Sequence, residues 1–248
     1  MIDTVLFDMG GTLEDISHTE KTATLASAVI LELLRLKGVL VKEDETEFSN
    51  KLFSGLLLYK QISESNHIEL KPEQIWTDYC LRDFAFDRNK IIELSEELAH
   101  AWEVTYYNRK LRPGVPMMLE HLRKQGMKLG IISNTASLFQ VFTSLKDYGI
   151  RDYFNDITLS SITGYRKPHK NIFEVSLNQM NSRPENCIYV GDTRSRDIIG
   201  SKNAGFAVAV QIRSFLTEGK DVNVDDTIQA DYVIDDIYDL VRIVTECR

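Results

Sequence analysis

Four places in this 248-residue chain hold side chains that could act on a phosphoryl group. Asp8 closes the apolar run Val5-Leu6-Phe7 and is followed at once by Gly10-Gly11-Thr12. A carboxylate at the carboxyl end of a buried strand, beside glycines that let a ligand approach the backbone, sits where open α/β sheets put their chemistry. The run Gly130-Ile131-Ile132 ends on a hydroxyl, Ser133, and Gly164-Tyr165-Arg166-Lys167-Pro168 supplies a cation. Tyr189-Val190-Gly191 ends on Asp192, with Asp197 five residues further on. A carboxylate can attack phosphorus and form an acyl-phosphate, which splits one displacement into two. A lysine can offset the charge that develops, and two more carboxylates suit a hard divalent ion that takes oxygen ligands. The set reads as a site for a phosphoryl group and a divalent metal.

Two textures must position these residues. From residue 16 to about 110 the chain reads as helix after helix, with no strand between them. Residues 22–37 carry Leu25, Val29, Ile30, Leu33 and Leu34 at helical spacing, with Gly38 as a stop. A second helix, from 45 to about 63, carries Phe48, Leu52, Phe53, Leu56, Leu57 and Tyr59. A third starts near Pro72, a good first-turn residue, and a fourth runs from about 89 to 106. Four amphipathic helices suggest a small bundle. After Arg112-Pro113-Gly114 the texture becomes strand–helix alternation. Strands are expected at 127–133, about 156–160, 187–191, 206–212 and 232–234, and helices at 115–125, 137–147, 169–180, 196–203 and the C-terminus. Repeated βα units mean a parallel sheet with helices on both faces. The first strand belongs to that sheet, so the helical block is an insertion. The acidic stretch 217–226 reads as a solvated loop.

With these motifs in this order, the chain resembles a haloacid dehalogenase-like (HAD) hydrolase. That family's first motif, Asp-x-Asp-x-Thr, reads here Asp8-Met9-Gly10-Gly11-Thr12; Ser133, Lys167 and the pair Asp192 and Asp197 match the other three. The resemblance implies an α/β fold: a Rossmann-like parallel-sheet core from 1–15 and 111–248, with an all-helical cap over 16–110. It implies catalytic roles for Asp8 as nucleophile, Ser133 as a hydrogen-bond donor to the phosphoryl group and Lys167 as its counter-charge. Gly11, Thr12, Asn134 and Arg166 would complete the substrate-binding set, Thr12 by keeping Asp8 aimed. Mg²⁺ would be held by Asp8, the main-chain carbonyl of Gly10 and Asp192, with Asp197 acting through water or by orienting the other ligands. Bland readings stand beside these. Ser133 could cap a helix, Lys167 could be a loop residue, and Asp197 could be a surface carboxylate. The aromatic side chains of the cap, Tyr59, Trp76, Trp102, Tyr106 and Tyr107, read mainly as bundle core. Asp15 reads as part of the hinge into the cap.

One position departs from the pattern. The second Asp of the first motif is Gly10, and in phosphatases of the family that residue protonates the leaving alcohol and then activates water. Such acid–base help is worth about 10²–10⁴-fold. A nearby carboxylate such as Glu14 could substitute, or the leaving group could need no proton. Alternatively, the chain could be a haloacid dehalogenase, which also lacks this Asp but works without metal, or a non-catalytic binder of a phosphometabolite. Retention of Asp192 and Asp197 favours the magnesium-dependent phosphate site.

Composition narrows the partners. Twenty-nine Lys+Arg against 37 Asp+Glu give a net charge of −8, which argues against nucleic acid or an anionic membrane surface. Cys80, Cys187 and Cys247 are widely spaced, with no CxxC, as in a reducing compartment without structural zinc. The chain shows no signal-peptide pattern and no apolar run of membrane-spanning length. A cytoplasmic protein is expected, monomer or homodimer, acting on a small phosphorylated molecule whose identity the sequence does not specify.

Overall fold

The computed structural model of the chain describes residues 1–221, 224 and 227–248. Its six-stranded sheet follows from short apolar runs that are buried on both faces, as parallel strands between helical layers must be. The strands are β1 (Thr4–Phe7), β4 (Lys128–Ser133), β5 (Asp156–Leu159), β6 (Cys187–Gly191), β7 (Val208–Ile212) and β8 (Tyr232–Ile234). Their order is β5-β4-β1-β6-β7-β8, and every pairing is parallel. Period-two alternation splits the core. Val5, Phe7, Leu129, Ile131 and Val190 pack on one face with Val115, Leu119 and Ile243, while Leu6, Ile132 and Tyr189 pack on the other with Phe173 and Phe206.

The helices are α1 (Glu20–Leu36), α2 (Glu45–Asn66), α3 (Pro72–Ile75), α4 (Arg88–Tyr106), α5 (Val115–Lys124), α6 (Gln140–Asp147), α7 (Ser160–Thr163), α8 (Lys170–Met180), α9 (Ile199–Asn203), α10 (Phe215–Lys220) and α11 (Leu240–Cys247). The first four share their own apolar cluster, in which Ile30, Leu34, Phe48, Leu52, Trp76 and Leu98 are buried. Along α1 the inward stripe is Ala26, Ile30, Leu31 and Leu34, and Leu25 is exposed. Helices α1 and α2 begin as their sequences dictate, at Thr19, which accepts from Thr22 N, and at Asp44, which accepts from Thr46 N and Glu47 N.

Several expectations need correction. The helical block is entered and left through strands: β2 (Glu14–Ser17) and β3 (Asn108–Leu111) form an antiparallel pair, with Ile16 opposite Arg109. Each of these four-residue strands carries two adjacent charges and no β-branched run, so periodicity does not reveal them. The third helix is one turn of α3 followed by a wide turn over Trp76–Cys80, and a similar wide turn, Arg194–Ile198, precedes α9. Helix α6 starts at Gln140 rather than 137, because Glu96 of α4 binds the loop before it. Glu96 accepts from Ser137 Oγ at 2.6 Å and from the amides of Leu138 at 2.8 Å and Phe139 at 3.1 Å. The stretch expected as a loop from 217 begins inside α10; residues 222, 223, 225 and 226 of it lie outside the described residues.

Candidate active site

Sheet register brings three motifs together. Phe7 pairs with Ile131 of β4 on one side and Val190 of β6 on the other. Asp8, Ser133 and Asp192 therefore leave adjacent strands at the same edge, where strand order reverses around β1. Asp8 N donates to Val190 O at 2.9 Å, which ties the loop that begins at Asp8 to β6. Lys167, from the loop between α7 and α8, is only 3% exposed. Its ammonium donates to Asp8 Oδ1 at 2.6 Å, Asp197 Oδ1 at 2.7 Å and the Tyr189 hydroxyl at 3.0 Å. All three ammonium donors are thereby used.

Asp197 is fully buried and is neither a surface carboxylate nor a helix cap. Besides Lys167 it accepts from Thr193 N at 3.0 Å, Thr193 Oγ1 at 2.6 Å and Tyr189 Oη at 3.1 Å. Burial opposes its charge, but Lys167, Arg196 and these donors hold it below the usual carboxylate range. Asp8 goes the other way: burial raises its carboxyl despite the pull of Lys167. Burial, then repulsion from Asp8 and Asp197, pushes Asp192 up to about 8.

Asp192 Oδ2 accepts from Ser214 Oγ at 2.5 Å, whereas Oδ1 is buried without a hydrogen-bond partner. Oxygens of Asp8, Asp192 and Asp197 lie within 4.8 Å of one another. A buried, partnerless carboxylate oxygen beside two more carboxylates suits a hard divalent cation, and the donor set is all oxygen. Gly11 makes this approach feasible: at φ +91° a Cβ there would overlap the Asp192 carboxylate.

The remaining sequence-predicted residues divide. Ser133, Asn134 and Arg166 line a cavity of about 350 Å³, together with Asp8, Gly10 and Lys167. Asn134 braces the lysine loop, accepting from Lys167 N at 2.9 Å and donating to Lys167 O at 3.2 Å. Arg166 is ion-paired with the buried Glu69, which also accepts from the Tyr59 and Ser160 hydroxyls, so it joins the helical layer to the sheet edge. Thr12 is buried and donates to Asp8 Oδ2 at 3.4 Å. Neither Gly11 nor Thr12 lines the cavity; Gly11 acts through backbone shape, and Thr12 through Asp8. Glu14 does not reach in either. It is fully buried, accepting from Arg109 Nη1 at 2.8 Å and Tyr148 Oη at 2.9 Å. Asp15 is largely exposed and pairs with Arg112 Nε at 3.1 Å.

Sequence reasoning missed three contributors. Tyr189 was visible only as a strand residue, Arg196 only as the first residue of an expected helix, and Arg109 only as a residue just past the fourth helix of the cap. Arg196 and Arg109 both line the cavity. The aromatic side chains of the cap divide as well. Tyr59 and Trp76 belong to the bundle core as well as the cavity wall, but His18, Trp102 and Tyr106 stack on one another at 5.0–5.1 Å and face the cavity.

A doubly wound sheet with a helical insertion after its first strand, and a carboxylate-and-lysine cluster at its switch point, defines the class of protein. The haloacid dehalogenase-like hydrolase family matches residues 2–205. The glyceraldehyde 3-phosphate phosphatase of Methanothermobacter thermautotrophicus is 29% identical over 98% of this chain and 100% of its own length. That of Pyrococcus abyssi is 31% identical over 83% of this chain and 79% of its length. The crystal structure of 2-haloacid dehalogenase from Pseudomonas syringae pv. Tomato DC3000 shares the fold, with a TM-score of 0.68 at 21% identity and full coverage of both chains. The chain belongs to the haloacid dehalogenase-like hydrolase family. It is an enzyme of the hydrolase class, with phosphatases among its relatives.

Proposed function

We propose that the protein is a Mg²⁺-dependent phosphohydrolase that acts on a small phosphorylated metabolite through an aspartyl-phosphate at Asp8. One observation carries this reading: three buried carboxylates cluster, Lys167 pairs with two of them, Asp8 and Asp197, and an oxygen of the third, Asp192, has no hydrogen-bond partner. Such a cluster is short of positive charge, and both a divalent ion and a phosphorus centre relieve it. Residues 16–110 would serve as the cap over a core of 1–15 and 111–248, and the cavity between them would hold the substrate. The named activity of the archaeal relatives supports a phosphate monoester of a few carbons as the first compound to test.

Mg²⁺, held by Asp8, the Gly10 carbonyl and Asp192 and oriented by Asp197, would offset charge on the phosphoryl oxygens. The chain's own residues do the rest. Lys167 grips Asp8 Oδ1 and Thr12 holds Oδ2, so the carboxylate is aimed. Ser133 and the Asn134 amide donate to phosphoryl oxygens. An Asp8 oxygen bonds to phosphorus while the bond to the leaving group breaks. Water then attacks phosphorus, and the Asp8 carboxylate is released. Gly10 contributes no acid or base to either step.

The missing carboxylate also suits haloacid chemistry, but the buried Asp192 has no use there. Three free cysteines and an acidic balance support a cytoplasmic setting. Phosphate release from an aryl phosphate, with Mg²⁺ and then with EDTA, tests the reading. We expect Mg²⁺-dependent release that Asp8→Asn abolishes. Halide release from a 2-haloacid in EDTA, or undiminished phosphate release by Asp8→Asn, would overturn it.

A further inference from the structure

Where a side chain at position 10 would lie, Ile16 and Arg109 already crowd in. A Cβ at Gly10 would lie 3.1 Å from Ile16 Cδ1 and 3.6 Å from Arg109 Nη1. Ile16 and Arg109 face each other across β2 and β3, so their side chains share one face of the ribbon. Arg109 is not free to swing away. Nη1 donates to Glu14 Oε2 at 2.8 Å, Nη2 to Glu103 Oε2 at 2.6 Å and Nε to Glu103 O at 3.3 Å, and the guanidinium lies 5.0 Å from the Tyr107 ring centre. These bonds use three of its five N–H donors, and the residue lines the cavity.

In-line displacement puts the leaving group opposite Asp8, on the helical side of that cavity. We infer that Arg109 takes over the leaving-group side from the absent carboxylate and that the substrate is an acyl phosphate, the mixed anhydride of a carboxylic acid with phosphoric acid; the inference rests on the phosphohydrolase reading above. A guanidinium stays protonated and cannot supply a proton, so it does little for an alkoxide. It is, however, a matched partner for a departing carboxylate, which needs no proton. The other walls agree. Phe53, Trp76, Trp102 and Tyr106 line the cavity and accept an apolar acyl tail, whereas a second phosphate would set its charge against those rings. Atoms and charge balance. Asp8 bonds phosphorus as the P–O bond to the acyl group breaks, and the electron pair leaves with the carboxylate. Water then bonds phosphorus, the Asp8–phosphorus bond breaks, and the water proton moves to a phosphoryl oxygen, so that phosphate departs as the dihydrogen anion.

The test compares kcat/KM of the wild-type enzyme with Mg²⁺ on benzoyl phosphate, benzyl phosphate, pyrophosphate and aryl phosphates of graded leaving-group acidity. We expect benzoyl phosphate to exceed benzyl phosphate by at least about 10²-fold, the low end of what a missing general acid costs. A steep dependence on leaving-group acidity should accompany it. Gly10→Asp should flatten that dependence by raising benzyl phosphate turnover alone. Arg109→Lys, which keeps the charge between Glu14 and Glu103 but loses the planar fork that matches a carboxylate, should lower kcat on benzoyl phosphate about tenfold or more and lower kcat on aryl phosphates, whose leaving group offers one oxygen, by less. A shallow wild-type dependence overturns the inference, as does one that steepens in Glu103→Gln, because that result makes Glu103 a proton donor. Faster turnover of pyrophosphate than of benzoyl phosphate overturns the assignment of an acyl group. Those outcomes leave the phosphohydrolase reading intact. No phosphate from any compound ends that reading and the inference together.

Discussion

Replacing Lys167 by Met tests whether the cluster is electrostatically joined. The ammonium holds Asp8 at 2.6 Å, Asp197 at 2.7 Å and the Tyr189 hydroxyl at 3.0 Å, with almost no exposure. Methionine fills nearly the same volume, so the cavity penalty is small and the electrostatic loss dominates. Removing one member of a buried ion pair costs about 3–5 kcal/mol, because the partner's charge stays buried without compensation. At about 2–4 °C per kcal/mol for a chain of this size, the thermal midpoint in EDTA should fall by about 6–20 °C. Adding Asp8→Asn removes one of the stranded charges and should recover about 1–3 kcal/mol, a coupling expected of side chains in direct contact. Urea or thermal unfolding followed by circular dichroism reads both values. A loss below about 1 kcal/mol, or a double variant no more stable than Lys167→Met, would refute the claim that these groups form one buried network.

Two further predictions concern the cation. Mg²⁺ should raise the thermal midpoint of the wild type, by the equivalent of about 2.7 kcal/mol at a hundredfold excess over its dissociation constant; Asp192→Asn should remove that shift while leaving the EDTA midpoint no lower, because the buried carboxyl has no partner for Oδ1. Gly11→Ala should weaken Mg²⁺ by about tenfold or more, since a Cβ there collides with the Asp192 carboxylate and the backbone sits at φ +91°. Isothermal calorimetry reads both variants, and an unchanged Mg²⁺ affinity in Gly11→Ala would count against the tight approach of these two loops.

Much of this arrangement was legible in the sequence. Val5-Leu6-Phe7 is a continuous apolar run because parallel strands are covered on both faces, and the alternation of Phe7 and Leu6 between two core clusters is the same signal at finer grain. The register that aligns Asp8 with Gly191 follows from those runs being of similar length. What escaped has physical reasons. Strand pairs β2 and β3 are short, charged and held by Glu14, Asp15 and their arginine partners rather than by apolar alternation. Arg109 acquires its position through the cross-strand partner Ile16, 93 positions away in sequence, and through its bonds to Glu14 and Glu103. Trp102 and Tyr106 have the spacing of core residues on α4, and only the cavity opened between helices and sheet edge turns them into a wall. For Asp197 the surface-carboxylate reading stayed open beside the metal-site one because nothing local predicts that Lys167, Thr193 and Tyr189 enclose it.

The central claim is that Asp8 carries the phosphoryl group. Acid quenching of the enzyme during turnover of an acyl or aryl phosphate, followed by peptide mass mapping, tests it directly. We predict the added mass of one phosphoryl group on the peptide containing Asp8, lost on mild alkaline treatment and absent in Asp8→Asn. A phosphoryl group on Ser133 or elsewhere, or steady turnover with no labelled peptide in Asp8→Asn, would contradict the account.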